Sequence, residues 1–187
     1  MEKYLYLTKK SWVSAWVDGG EIPLNVSSTY LSQERQGTMT PDENLLDSST
    51  HPYSIFGSSI HIEGTDIKIG QFYRDGSLVA SDIVVNRKFE DGLVLCFANS
   101  FSTEIASRLG KEACVRIHNI YDLKKILDDQ VGFESEMRAC EYTQGHHRNH
   151  FLKSDKDMWQ DEFRLFWKGK KSQMVTLPAG VGMEISL

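Results

Sequence analysis

The residues with the clearest chemical potential are Gln160 and Glu162, in the run Trp159-Gln160-Asp161-Glu162-Phe163-Arg164-Leu165-Phe166. Read as a strand, the run alternates, because successive strand side chains point to opposite faces. Gln160 and Glu162 then share one face, while Trp159, Phe163 and Leu165 share the other and are expected in the core. An amide beside a carboxylate suits stabilisation of a cationic, sugar-derived transition state, since fixed negative charge is worth most where positive charge develops. The competing reading of the same tripeptide is an edge strand with solvated polar side chains.

Two other stretches have the composition of binding elements. The first is Leu5-Tyr6-Leu7-Thr8, followed by a helical segment, Gly19-Gly20 and the short strand Glu21 to Leu24. Tyr6 and Thr8 fall on one face and offer hydroxyls and an aromatic ring. The second is Gly92 to Ser100, a strand ending in small polar residues, then a short helix capped by Ser102 and the strand Ala113 to Ile117. A strand running into a helix start is a natural edge for a phosphate, because free N–H groups and the helix dipole favour negative charge there. Asn99, Ser100, Ser102 and Thr103 add amide and hydroxyl groups.

Taken in order, the three pieces resemble the core of the ADP-ribosyltransferase superfamily. Its members open with a strand such as Leu-Tyr-His-Gly-Thr, continue with a strand ending in Ser/Thr or an aromatic, and place a catalytic Glu late as Gln-x-Glu or Glu-x-Glu. Tyr6 stands where many members have His, no Arg occupies the first strand, and Ser100-Phe101-Ser102-Thr103 is a loose version of the usual Ser-Thr-Ser. The stretch from Phe151-Leu152-Lys153-Ser154 to Glu162-Phe163-Arg164 also resembles a family of uncharacterised bacterial proteins with a Lys, a Trp and a Glu-Phe/Tyr-Arg in this arrangement, some of them near phage-defence genes.

The resemblance implies an α+β fold, a single domain over residues 1–187 with a split β-sheet core and short helices. It implies an NAD-dependent ADP-ribosyltransferase, acting as a bacterial toxin or anti-phage defence effector, with NAD as substrate and no metal. Glu162 would stabilise the oxocarbenium-like ribose and Gln160 would orient the acceptor nucleophile. Tyr6, Thr8, Asn99, Ser100, Phe101, Ser102 and Thr103 would hold NAD, with Arg148, Asn149 and Arg164 toward the acceptor. The acceptor would be a protein, RNA or DNA, and a toxin of this kind implies an antitoxin or inhibitor as a further partner. The alternative is a non-catalytic nucleotide- or nucleic-acid-binding module using the same cleft.

The elements that must position these groups are read from pattern. Ser11 is placed to cap a helix with Trp12, Ala15 and Trp16 on one face, and Asp122 a helix with Leu123, Ile126 and Leu127. Strands are expected at Ile60-His61-Ile62 and Ile67-Lys68-Ile69 around a turn at 63–66, then at Gln71 to Tyr73, Leu78 to Val85 and Leu93 to Phe97. Residues 25–51 read as a long polar loop with one helical turn near Pro41, 132–158 as irregular, and 175–187 as a last strand.

Composition excludes more than it selects. The 187 residues carry a net charge of −5, so a nucleic-acid partner needs a local patch rather than a global field. Arg148, Lys153, Arg164, Lys168, Lys170 and Lys171, with Trp167 among them, are the candidates for one. Cys96, Cys114 and Cys140 read as reduced cysteines. His146 and His150 have zinc-ligand spacing but only Cys140 nearby, so no metal is expected there; a nuclease or deaminase-like enzyme using the histidines is the weakest option. No P-loop, GxSxG elbow or Rossmann fingerprint is present. Met1-Glu2-Lys3 runs directly into a short apolar stretch rather than a signal-peptide core, and no run reaches the roughly 20 apolar residues of a membrane span, so a soluble, cytoplasmic protein is expected.

Overall fold

Apolar residues in this chain recur mostly at strand period, and the computed structural model is accordingly a mixed α+β architecture of mainly antiparallel sheet and short helices. It describes residues 1–34, 46–52, 66–88, 90–145 and 148–187. The strands are β1 (Lys3–Leu7), β2 (Gly20–Val26), β3 (Leu46–Pro52), β4 (Asp66–Arg74), β5 (Ser77–Lys88), β6 (Gly92–Ala98), β7 (Ala113–Ile117), β8 (Glu136–Ala139), β9 (Glu141–Thr143), β10 (Leu152–Ser154), β11 (Glu162–Lys168), β12 (Gln173–Leu177) and β13 (Gly182–Ile185). The helices are α1 (Val13–Val17), α2 (Ser27–Glu34), α3 (Thr103–Arg108) and α4 (Ile120–Val131), with 3₁₀ turns at Lys10–Trp12 and Asp155–Gln160. No helix among the described residues is long and apolar enough to cross a membrane.

The main sheet is organised around β6. One edge of β6 pairs along its whole length with β11, from Gly92↔Lys168 to Ala98↔Glu162. Its other edge is shared: Leu93 and Val94 pair with β2, and Ala98 pairs with Tyr4 of β1. Between those contacts Leu95, Cys96 and Phe97 have no registered strand partner on that edge among the described residues. The sheet is therefore parted between β1 and β2. β1 continues through β7 to β13, β2 pairs outward with β12, and β8 lies on the far side of β11. A separate antiparallel sheet, β3-β5-β4, turns between β4 and β5 at Asp75-Gly76, both with positive φ as a two-residue hairpin of this hand requires.

α4 packs on the main sheet because Ile120, Leu123, Leu127 and Val131 repeat at helical spacing and are all buried. Trp167, wholly buried on β11, donates its indole N–H to Asp128 Oδ1 of α4 at 2.7 Å. Phe163, Leu165 and Trp167 form the core face of β11, as alternation predicts.

Several expectations are corrected. The expected polar loop at 25–51 contains α2 and most of β3, while Pro41, the strand expected at Ile60-His61-Ile62 and the turn expected at 63–65 lie outside the described residues. The stretch 132–158 holds β8, β9 and β10. Ser11 caps nothing; it lies inside a 3₁₀ turn, and the following helix buries Val13 and Trp16 while Trp12 stays 48% exposed. The cap of α4 is Asn119, whose Oδ1 accepts from Tyr121 N, rather than Asp122. Residues 175–187 supply most of two strands rather than one, β12 and β13.

Candidate functional site

The parting of the sheet opens a cavity of about 570 Å³, within the 300–1,000 Å³ common for small-molecule sites. Its walls come from β1 (Tyr4 to Leu7) with Thr8 beyond it, from β6 (Leu95 to Ala98), from α1 and from β2. Lys111, Lys153, Glu21 and Glu162 bring its charge, and Gln160 and Asn25 its amides.

Glu162 is reached differently from the alternation argument. Gln160 is not in the strand: it ends the 3₁₀ turn, and Asp161 between the two adopts a left-handed conformation at φ 45, ψ 49. Trp159 is accordingly not in the core; its ring lies beneath the Arg108 guanidinium at 3.7 Å. The two candidates nonetheless meet, through a residue on β10. Lys153 Nζ donates to Gln160 Oε1 at 2.7 Å and to Glu162 Oε2 at 2.5 Å, and Gln160 Nε2 donates to Asp157 Oδ1 at 3.2 Å.

The second oxygen of the carboxylate, Glu162 Oε1, accepts from Arg164 Nε at 2.6 Å. All three charged side chains are buried. Burial alone would push the Glu162 carboxyl upward, but the Arg164 and Lys153 charges and hydrogen bonds from Arg164 and Cys96 overcome it and hold it well below the usual carboxylate range. Glu162 is thus a permanent anion near neutral pH. It is suited to stabilising positive charge or accepting hydroxyl hydrogen bonds, and unsuited to shuttling a proton.

The backbone at Glu162 is equally fixed. Its N–H donates to the Tyr142 hydroxyl at 2.9 Å and its carbonyl accepts from Cys140 N at 2.8 Å. The Tyr142 hydroxyl is pushed up to about 12, chiefly by burial and further by the Glu162 charge.

The expected phosphate edge does something else. Asn99 Nδ2 donates to both the carbonyl and Oδ1 of Asp161, Asn99 N donates to the same carbonyl, and Ser100 Oγ donates to Asp161 Oδ2. Lys3 Nζ, 4.3 Å from the Phe163 ring centroid, donates to Asn99 Oδ1 at 2.6 Å. These contacts clamp the left-handed residue that aims Gln160 and Glu162, a conformation Asp tolerates better than most. Ser102 accepts from Ile105 N as the α3 cap, and its backbone exchanges bonds with the Tyr6 hydroxyl. Phe101 lies against Tyr4, and Thr103 begins α3 at the surface. None of residues 99–103 lines the cavity; Tyr6 and Thr8 do.

Replacing Asn99 by Ala removes the clamp and leaves the buried Lys3 ammonium without that acceptor. A loss of about 1–3 kcal/mol is expected in urea unfolding, against less than about 0.5 kcal/mol for Thr103→Ser on the surface. Equal midpoints for the two variants would refute the clamp.

The expected acceptor contacts also separate. Arg148 donates to Gly145 O and Asn149 Oδ1 accepts from Phe151 N, and neither lines the cavity. Arg164 is 1% exposed and donates from its guanidinium to His150 O, so it lies behind Glu162 rather than facing a partner. With Lys153, Arg164 and Trp167 all buried, the basic and aromatic run is not a continuous surface path. Lys168 pairs with Glu90, and Lys170 lies near the Phe133 ring.

His150 stacks on Phe166 at 3.7 Å between centroids, and burial lowers its pKa. His146 and His147 lie outside the described residues, and no three His, Cys, Asp or Glu side chains cluster as a metal site among the described ones. Cys96, Cys114 and Cys140 are not joined in disulfides.

Two cavity lysines carry the site's positive charge and were not singled out as site residues by sequence. Lys153 precedes Glu162 by nine positions across an irregular stretch, where no period links them; its place in the Lys…Trp…Glu-Phe-Arg arrangement was the available signal. Lys111 sits after the α3 stop at Gly110, a position that reads as ordinary surface.

Compared with protein-family models, with curated proteins and with solved structures, the chain matches none.

Proposed function

We propose that the chain is an NAD-dependent ADP-ribosyltransferase, with the cavity as its NAD site and Glu162 as the anion facing the reacting ribose. The observation that carries this reading is convergence. Tyr6 to Thr8, Leu95 to Ala98, and the pair Gln160 and Glu162 are far apart in sequence, yet β1, β6, the 3₁₀ turn and β11 bring them to the wall of one cavity. Cleavage of the nicotinamide–ribose bond leaves positive charge on the ribose, and nicotinamide departs with the bonding electron pair. A buried carboxylate held ionised lowers the energy of that charge, and Gln160 beside it would orient the incoming nucleophile. The acceptor is a macromolecule, and toxin or defence activity is the role in which such transfer would be used.

A second reading, a nucleotide-binding module without catalysis, is favoured by one observation. Both Glu162 oxygens are already bonded to cations, which weakens the field they offer a ribose cation.

The two readings separate on nicotinamide release from NAD by wild type and Glu162→Asp, with and without cell lysate. The Asp variant keeps the charge between Lys153 and Arg164 but withdraws it by one methylene. An enzyme should release nicotinamide, faster with lysate, and lose about 10²-fold or more in the variant. NAD binding by folded wild type with no release under either condition would leave the binding module.

A further inference from the structure

We propose that Lys111 and Thr8 form the phosphoanion-binding subsite of the cavity, holding the phosphate or diphosphate of its ligand. Lys111 lines the cavity, and its ammonium donates to Thr8 Oγ1 at 2.9 Å. Among the described residues it has no carboxylate partner, and the neutral Thr8 hydroxyl is its only hydrogen-bond acceptor. Charged groups withdrawn from water are normally paired, because an unmatched charge keeps its desolvation cost.

The donor inventory is directional. An ammonium has three N–H donors, of which Thr8 takes one. Thr8, having accepted that bond, retains its own O–H, for which no described residue is the acceptor. Lys111 and Thr8 together therefore present N–H and O–H donors side by side with net positive charge, a set that matches phosphate oxygens. Burial holds the Lys111 ammonium below its ordinary pKa, with Cys96 opposing, and an arriving anion would reverse that shift. The other cavity lysine is already committed to Glu162 and Gln160.

Lys111 is positioned by the fold rather than by a mobile tip. Gly110 turns the chain at φ 62, Lys111 N donates to Ala106 O at 2.9 Å, and Glu112 N donates to Leu7 O at 2.9 Å, extending the β1–β7 pairing. The subsite thus lies where β1 ends, in a cavity that residues 99–103 do not line. Identifying the anion as the diphosphate of a dinucleotide rests on the reading of the cavity as an NAD site; the preference for a phosphoanion does not.

Calorimetric titration of the full chain with ADP, adenosine and inorganic pyrophosphate tests the subsite in wild type, Lys111→Met, Lys111→Arg and Thr8→Val. Wild type should bind ADP more tightly than adenosine, and should bind pyrophosphate. Lys111→Met should lose about ten- to a hundredfold in ADP affinity with adenosine unchanged, Thr8→Val about two- to tenfold, and Lys111→Arg should keep most of the preference. Lys111→Met should melt at or above the wild-type temperature, since it removes an unmatched charge; if it does not fold, Thr8→Val against Lys111→Arg decides the outcome. Wild type binding neither ADP nor pyrophosphate, an ADP affinity no greater than that of adenosine, or undiminished ADP binding by folded Lys111→Met would each overturn the proposal. Nicotinamide release plays no part in this comparison, so the subsite and the transferase reading can fail separately.

Discussion

Glu162→Gln should lower stability by about 3–5 kcal/mol, because it leaves Lys153 and Arg164 buried beside a neutral amide. The side chains are nearly isosteric, so little packing is lost. Gln has one acceptor oxygen and turns an N–H₂ donor toward the remaining cation, which has only donors to offer. In a chain of this size the melting temperature should fall by roughly 6–20 °C. Adding Lys153→Met should recover part of the loss by removing one orphaned charge. A single variant that melts with wild type would contradict the ion-paired site. Activity lost in Glu162→Gln therefore needs a folding control, which is why Glu162→Asp is the better probe of chemistry.

The same ion pairs set an acid dependence. The Glu162 pKa is depressed in the folded state relative to an unfolded value near 4.5. The unfolded chain binds the proton first as pH falls, so this contribution is fully present above 4.5 and is lost progressively below it. The stability difference between wild type and Glu162→Gln should be flat from pH 7 to about 5.5 and shrink toward pH 3. A difference that widened on acidification would reverse the sign of the argument.

Gly92→Ala should be the second severe change. A Cβ at this position would stand 2.4 Å from Trp167 O and 2.7 Å from the Phe166 ring. The obstacle is backbone of the paired strand, so relief requires β6 and β11 to separate. A loss of about 3 kcal/mol or more is expected, and the 0.4–1 kcal/mol gained by restricting the unfolded chain does not change the sign. Because β11 carries Glu162 at its other end, ligand binding should weaken along with stability. A variant with wild-type urea midpoint and wild-type binding would refute the close approach.

Local signals were the legible ones. The Ser102 cap bonded to Ile105 N and the core positions Phe163 and Leu165 of β11 each depend on neighbours a few residues away, and each is found. α2 was hidden because Ser27-Ser28-Thr29 favours caps over helix interiors, and Asp91, distant in sequence, accepts from both Ser28 N and Ser28 Oγ at its start. Parity failed at Gln160 because alternation holds only within a strand, and the left-handed Asp161 interrupts it. Gln160 and Glu162 share a partner because Lys153 brings them together, a contact no spacing rule contains. The second face of β11 read as exposed, yet Glu162, Arg164 and Phe166 are buried beneath the segment carrying His150, Phe151 and Lys153.

The parted edge of β6 also makes the cavity a mechanical joint. A pocket made by loops can be emptied or filled while the scaffold stays indifferent. Here the gap separates the β1 side of the sheet from the β2 side, and among the described strands β6 alone pairs with both. A tight ligand would act as a rivet across that seam, so its binding energy should appear in the unfolding of the whole sheet rather than in the stiffening of one loop. Conversely, pulling β1 and β2 apart would load the seam first, and occupancy would set the force at which it gives.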